Sequence, residues 1–231
     1  MMTANELKAY ARSVGAMGCG IADIGRFKDT PEGFRPTDIF SKTQSVVVTF
    51  RQMPTGAILA ENPIPYTHAA YKMYEELDRL SMDLLRFCQG KGIDGVIVPA
   101  DVPYLSWDEE NKHGRGILSL KHAAVQAGLG IMGRSTIFIN QEYGNMVYLG
   151  AILIDAALAP DPLVEDFACP PGCNHCRNSC PQQAIGEKSV NQKLCREHSF
   201  FQASRGWDLY NCNVCRRLCP LRLGQKKKSL S

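Results

Sequence analysis

Apolar positions along the chain recur with two periods, and the period marks each element. Over residues 4–15, Leu7, Tyr10, Ala11 and Val14 share one face of a helix that Gly15 ends. Residues 18–24 (GCGIADI) predict a short strand, with Cys19 as a small buried hydrophobe rather than a ligand. Residues 26–44, with Pro31, Gly33 and Pro36, read as loop. The run SVVVTF at 45–50 is rich in β-branched residues and predicts a central strand. A connection over 53–65 then leads into the longest helix, 67–89. There Ala70, Met73, Leu77, Leu80, Leu84 and Cys88 recur at three and four, a stripe that faces the core.

Residues 94–99 predict another strand. Residues 100–115 form a polar loop containing Asp101, Tyr104, Trp107 and His113, long enough to wall or cover a site. A short helix over 117–127 follows, then a predicted hairpin pairing 136–140 with 146–155, turned at 142–145. Pro160 and Pro162 mark a boundary. The order of strands and helices lacks regular βαβ alternation, so the expectation is an α+β fold: residues 1–160 as a mixed-sheet domain, and 161–231 as a second domain ending in a solvated tail with Lys226, Lys227 and Lys228.

Eight of the ten cysteines fall in that second part. They read Cys169-x3-Cys173-x2-Cys176-x3-Cys180-Pro181, a lone Cys195, and Cys212-x2-Cys215-x3-Cys219-Pro220. Two runs ending in C-x2-C-x3-C-P match the demand of two 4Fe–4S clusters, each taking four soft thiolates. Close spacing wraps three thiolates around one cube, while the cysteine before the proline points to the other cluster. Zinc sites use C-x2-C pairs and give the C-P ending no role; disulfides need an oxidising compartment. The gap from Cys169 to Cys173 is one residue longer than the others, with Pro170, Pro171 and Gly172 inside, so Cys169 is the ligand with the least support from spacing.

Composition is that of an ordinary globular chain, 231 residues long. The net charge of +3 is no argument for nucleic acid, because two oxidised clusters with their thiolates would add about −4. No basic stripe with interleaved aromatics appears, so nucleic acid is not an expected partner. The N-terminal segment has neither a long apolar run nor twin arginines, which predicts no membrane span and a cytoplasmic, reducing location.

Gly128, Gly130 and Gly133 spell G-x-G-x-x-G, but they follow a helix and precede a strand, the reverse of a dinucleotide fingerprint. Three glycines in six residues still permit close backbone approach to a ligand.

From Lys121 through AGLGIMGRST to Leu149-Gly150-Ala151-Ile152-Leu153 and the cysteine runs, the chain resembles the epoxyqueuosine reductase family, which is related to the reductive dehalogenases. The resemblance implies a nitroreductase-like domain holding cobalamin, joined to a two-cluster ferredoxin-like domain that feeds electrons singly to cobalt. By position it assigns Cys169, Cys173, Cys176 and Cys219 to one cluster, and Cys180, Cys195, Cys212 and Cys215 to the other. It lays the loop of Gly128, Gly130 and Gly133 against the corrin, with Arg134, Ser135 and Thr136 as polar contacts.

Two departures stand out. Where the family carries a proton-donating aspartate, this chain has Gly114, between His113 and Arg115; the family's Arg-Tyr-Ala is here Pro65-Tyr66-Thr67. The longer members also have a C-terminal region that helps hold tRNA, whereas this sequence stops soon after the last cysteine. The expectation is therefore an iron–sulfur oxidoreductase, fed by a ferredoxin or flavodoxin, whose corrinoid reduces a small substrate rather than epoxyqueuosine on tRNA. His113 is the first candidate proton donor and Tyr104 the second. The alternative is a ferredoxin-type electron carrier, or a reductive activator for a partner corrinoid protein, with no cobalamin of its own.

Overall fold

The computed structural model describes residues 2–187 and 189–225, so the lysines at 226–228 lie outside the described residues. Helix α1 (Ala4–Ser13) opens on a capping box: the Thr3 side chain accepts from the Glu6 N–H, and the Glu6 carboxylate accepts in return from the Thr3 N–H. Strand β1 (Gly18–Asp23) follows, then a short helix α2 (Pro36–Ile39) inside the segment expected as loop. Strand β2 (Ser45–Gln52) leads to α3 (Pro63–Gln89). This long helix begins four residues before its expected start at residue 67. Asn62 caps it and Pro63 occupies the first turn, where the missing N–H costs nothing.

Strand β3 (Gly95–Val98) is followed by β4 (Ser106–Asp108) and β5 (His113–Arg115). These last two pair antiparallel, so the expected polar loop contains a small hairpin. Next come α4 (Leu120–Gln126), β6 (Ile131–Met132), β7 (Phe138–Ile139) and β8 (Val147–Ile154).

The expected hairpin between 136–140 and 146–155 does not form. The turn is present, with Asn140 Oδ1 accepting from the N–H groups of Glu142 and Tyr143. However, β7 pairs back onto β6, inside the glycine loop, and β8 instead inserts between β2 and β3. The result is a four-stranded antiparallel sheet in the order β1-β2-β8-β3.

Both faces of this sheet are covered. Val46, Val48, Phe50, Ala151 and Leu153 pack with α4 on one side; Val47, Ile152 and Ile154 pack with Leu7 of α1 and Leu80 and Leu84 of α3 on the other. That explains why the SVVVTF run shows no polar alternation, and why β8 wins its interior place. Each fully buried Val or Ile contributes about 1.5–3 kcal/mol, which a two-stranded surface hairpin would forgo. Cys88 is fully buried in this core and Cys19 packs at its edge; burial pushes their thiols up to about 11 and about 12.

The C-terminal part carries α5 (His175–Asn178), α6 (Gln192–Ser199), the hairpin β9 (Phe200–Gln202) and β10 (Asp208–Tyr210), and α7 (Val214–Arg217). It is gripped by the first part at several points. Thr67 of α3 accepts from the Tyr210 N–H (2.9 Å), and Tyr71 donates to the Asp208 carbonyl (2.9 Å). Ile139, Phe167 and Leu221 form a shared apolar cluster.

Candidate functional site

Short helices bring the cysteines into two groups. Cys173 closes a turn onto Pro170 and Cys176 sits in α5, while Cys219 follows α7, which packs against α5. Together with Cys169 they line one small hollow, bordered by Arg134 and Ser135. The extra residue between Cys169 and Cys173 is absorbed at Gly172, whose φ of +70° suits glycine. The second group gathers Cys195 from α6, Cys212 and Cys215 from the α7 turn, and Cys180 from the end of the first run. Their mutual influence is explicit: Cys180 and Cys212 both push the Cys195 thiol up, and Cys195 and Cys212 both push up Cys215. Each C-P cysteine thus stands with the other run's thiols.

Burial is the larger cause of these shifts, neighbouring thiols the smaller. Cys176, Cys195 and Cys219 are raised, and Cys215 is pushed up to about 11. The backbone is set to help at Cys180, where the Ala184 N–H donates to Sγ (3.3 Å). Among the described residues no three His, Cys, Asp or Glu side chains converge on a single-ion site. A lone tetrahedral zinc needs sulfurs about 2.3 Å from one centre.

Beside the second group lies a cavity of about 1110 Å³, larger than the usual small-molecule pocket of about 300–1,000 Å³. It opens between α3, the segment bearing β4 and β5, helix α6 and the β9–β10 hairpin. Its walls are aromatic, with Tyr71, Tyr74, Trp107 and Tyr210 prominent. Arg196, next to Cys195, lies over the Trp107 ring at 4.9 Å. Tyr104 stacks on Trp107 and donates to Asp101 Oδ1 (3.3 Å). Burial raises the Asp101 carboxyl, and burial together with the Asp101 charge raises the Tyr104 phenol.

Of the expected proton donors, Tyr104 is on the cavity wall and His113 is not. His113 sits on β5 opposite Asp108, with its ring outside the cavity lining. Gly114 is covered by Trp107: a Cβ there would stand 3.2 Å from the indole.

The glycine loop also differs from expectation. A Cβ on Gly128 would meet the Pro162 carbonyl at 2.1 Å, and one on Gly130 the Ile139 carbonyl at 2.2 Å. Gly133 packs on Ile139. The close approach is to the chain's own backbone, not to an open face. Arg134 turns to the first quartet, donating to the Cys173 carbonyl (2.7 Å) with Ser135 beside it, and the Thr136 carbonyl accepts from Lys121 Nζ (2.7 Å). None of the six lines the large cavity.

Asp101, Arg196 and Trp107 escaped notice as site residues. The signal available was the aromatic density after Cys195, with Phe200, Phe201, Trp207 and Tyr210 close together.

Fold and site together define a class: an α+β chain with two groups of cysteines, the second next to a large aromatic cavity. No protein-family model matches the chain. It is 32% identical over 120 residues to the epoxyqueuosine reductase of Listeria monocytogenes, a match taking in 47% of this chain and 31% of that protein. The matched stretch therefore spans about a third of that curated relative's length. The structure of epoxyqueuosine reductase from Streptococcus thermophilus superposes with a TM-score of 0.67 at 18% identity, covering 96% of this chain and 66% of that one. A reductive dehalogenase whose structure suggests a B12-dependent mechanism gives 0.66 at 17% identity, with 97% and 32% covered. The chain is similar in sequence to epoxyqueuosine reductases over about half its length, and it shares its fold with their solved structures and with those of reductive dehalogenases. No helix among the described residues is long and apolar enough to cross a membrane.

Proposed function

We propose that this chain is a cobalamin-linked iron–sulfur reductase acting on a small substrate. The observation that carries the proposal is a second thiol quartet next to an aromatic cavity of about 1110 Å³, with the first quartet lining a hollow of its own. Residues 1–160 serve as the nitroreductase-like cofactor and substrate part. Residues 161–231 serve as the ferredoxin-like part, with Cys169, Cys173, Cys176 and Cys219 holding one 4Fe–4S cluster and Cys180, Cys195, Cys212 and Cys215 the other. A ferredoxin or flavodoxin in the same reducing compartment supplies electrons.

Cobalamin, when bound, supplies reductive chemistry at cobalt. The chain's own residues do the rest. Tyr71, Tyr74 and Tyr210 offer flat apolar faces and exclude water, while Tyr104 Oη and Asp101 hold a proton at the cavity wall, in place of the aspartate that Gly114 replaces. The small-substrate reading draws on charge. Lys72 and Lys112 are paired with Glu75 and Glu109, leaving Asp78, Glu197 and Asp208 against the one remaining arginine of the lining, Arg196. An acidic wall of this kind repels a polyphosphate backbone.

The test is anaerobic reconstitution with iron and sulfide, followed by hydroxocobalamin. About eight iron per chain with retained corrinoid is expected. Eight iron with no corrinoid retained would leave an electron carrier, or a reductive activator of a partner corrinoid protein. Four iron or fewer would overturn the two-cluster assignment.

A further inference from the structure

Arg216 follows Cys215 directly in α7, and its N–H donates to the Asn213 carbonyl (3.0 Å). Its side chain runs inward. The guanidinium donates to the Asn145 carbonyl, and Asn145 Nδ2 returns a bond to the Arg216 carbonyl (3.1 Å). Asn145 is buried, with its Oδ1 unpartnered. The guanidinium carbon stands 5.2 Å from the centre of the Tyr148 ring, itself buried. Tyr148 meets Tyr74 edge to face at 5.3 Å, and Tyr74 lines the cavity. Arg216 therefore sits between the second quartet and the cavity wall.

Five ion pairs occur among the described residues, and none includes Arg216. A half-buried cation without a carboxylate is costly unless another anion lies close. The nearest candidate is the second quartet, because four thiolates around a cubane leave a net negative charge that grows by one on reduction. Cluster potentials respond to net charge near the sulfurs, and the Arg216 side chain supplies a positive charge next in sequence to Cys215.

We propose that Arg216 is the built-in counter-charge of the second quartet, and that it raises the reduction potential of the cluster held there. The positive charge favours the reduced cluster over the oxidised one, since the reduced form carries the extra electron. The second cluster thereby becomes the favoured resting place for an electron beside the cavity. The first quartet has its own arginine, Arg134, held on the Cys173 carbonyl, so an effect of Arg216 falls on one cluster only.

The inference rests on the reading that the second quartet holds a cluster, but it needs neither corrinoid nor substrate. The anaerobically reconstituted chain is assayed for iron and titrated with dithionite under EPR, each cluster taking one electron. Wild-type protein with fewer than about eight iron would defeat the cluster reading itself. With both clusters present, Arg216→Gln should make one transition at least tenfold less favourable, about 59 mV for one electron, while the other stays in place. Arg216→Lys, which keeps the charge, should stay within about threefold of wild type. Arg216→Gln with full iron and two unmoved transitions would overturn the proposal. Should Arg216→Gln lose iron, Arg216→Lys decides: retention of both clusters supports the counter-charge, and loss of iron there too reduces Arg216 to a structural staple and overturns it.

Discussion

The Tyr104 hydroxyl donates to Asp101 Oδ1 across 3.3 Å, and both residues face the cavity. Burial lifts the Asp101 carboxyl above its ordinary range, so it keeps a proton to higher pH than a solvated aspartate does. Tyr104→Phe and Asp101→Asn are each expected to lower turnover by about 10²–10⁴-fold while corrinoid remains bound. His113→Ala, off the cavity, should leave turnover unchanged. The pH dependence has a definite sign: a protonated Asp101 is lost as pH rises through its raised value, so the rate falls on the alkaline side. Stability moves the same way. Charging Asp101 in place is a cost that is absent below its unfolded value of about 3.9, grows as pH rises toward the raised one and is complete above it. Asp101→Asn should therefore melt higher than wild type at neutral pH, with the gap closing on acidification.

The two thiol quartets make a further expectation, about which cysteines act together. Cys180 belongs by sequence to the first run and by position to the second quartet. Iron content after anaerobic reconstitution distinguishes the two memberships. Cys180→Ser alone should drop iron from about eight to about four. Adding Cys195→Ser should cost nothing further, because both ligands serve one cluster. Adding Cys176→Ser to Cys180→Ser should remove the remaining iron. Equal losses from both double variants would defeat the crossover.

Much of this arrangement was legible in the residues. The SVVVTF run, the long apolar stripe of α3 and the paired cysteine runs each carry a strong local signal, and each lies where the pattern put it. What was hidden depends on non-local choices. Strand β8 could pair with β7 across a good turn, and only two-sided burial between β2 and β3 outweighs that pairing. The β4–β5 hairpin is built from Ser106-Trp107-Asp108 and His113-Gly114-Arg115, which have no apolar alternation. Asp101 carries no period at all; its importance comes from being closed in by Tyr104 and by elements ninety or more residues away in sequence, near Arg196. The glycine triplet has a packing reason that its sequence does not display: a Cβ on Gly128 or Gly130 would meet the carbonyls of Pro162 or Ile139.

The two cysteines outside the runs give a different pH signature. Burial pushes the Cys88 thiol up to about 11 and the Cys19 thiol up to about 12. The neutral thiol is favoured in the fold. The stability this contributes is complete below the ordinary thiol value of about 8.5, and is lost as pH rises through about 11 to about 12. Iron-loaded protein should show this alkaline loss undiminished, since neither thiol is in a quartet. Cys88→Ala should flatten the curve of melting temperature against pH. Alkylation of iron-loaded protein at pH 8, read by mass spectrometry, should leave Cys88 unmodified; prompt labelling there would contradict the buried placement.

The boundary near Pro160 and Pro162 read as a junction between two domains, yet Asp161 ties it down. Its carboxylate pairs with Lys8 of α1 and accepts from the Ile21 N–H (2.8 Å), while its own N–H donates to the Ile21 carbonyl (2.9 Å). One residue thus joins α1, the edge strand β1 and the approach to the cysteine segment. The Lys8–Asp161 pair by itself is worth little, being partly solvated. The Ile21 N–H is different, because Ile21 is fully buried and loses a partner when the carboxylate is removed. Asp161→Ala should cost about 1–3 kcal/mol for leaving that donor unpaired, read as a lower urea midpoint with an unchanged slope. Lys8→Ala should cost less than about 1 kcal/mol. Asp161→Asn keeps an acceptor for Ile21 but not the charge, and should fall close to Lys8→Ala. If Asp161→Asn instead matched Asp161→Ala, the ion pair rather than the backbone bond would be what holds the junction.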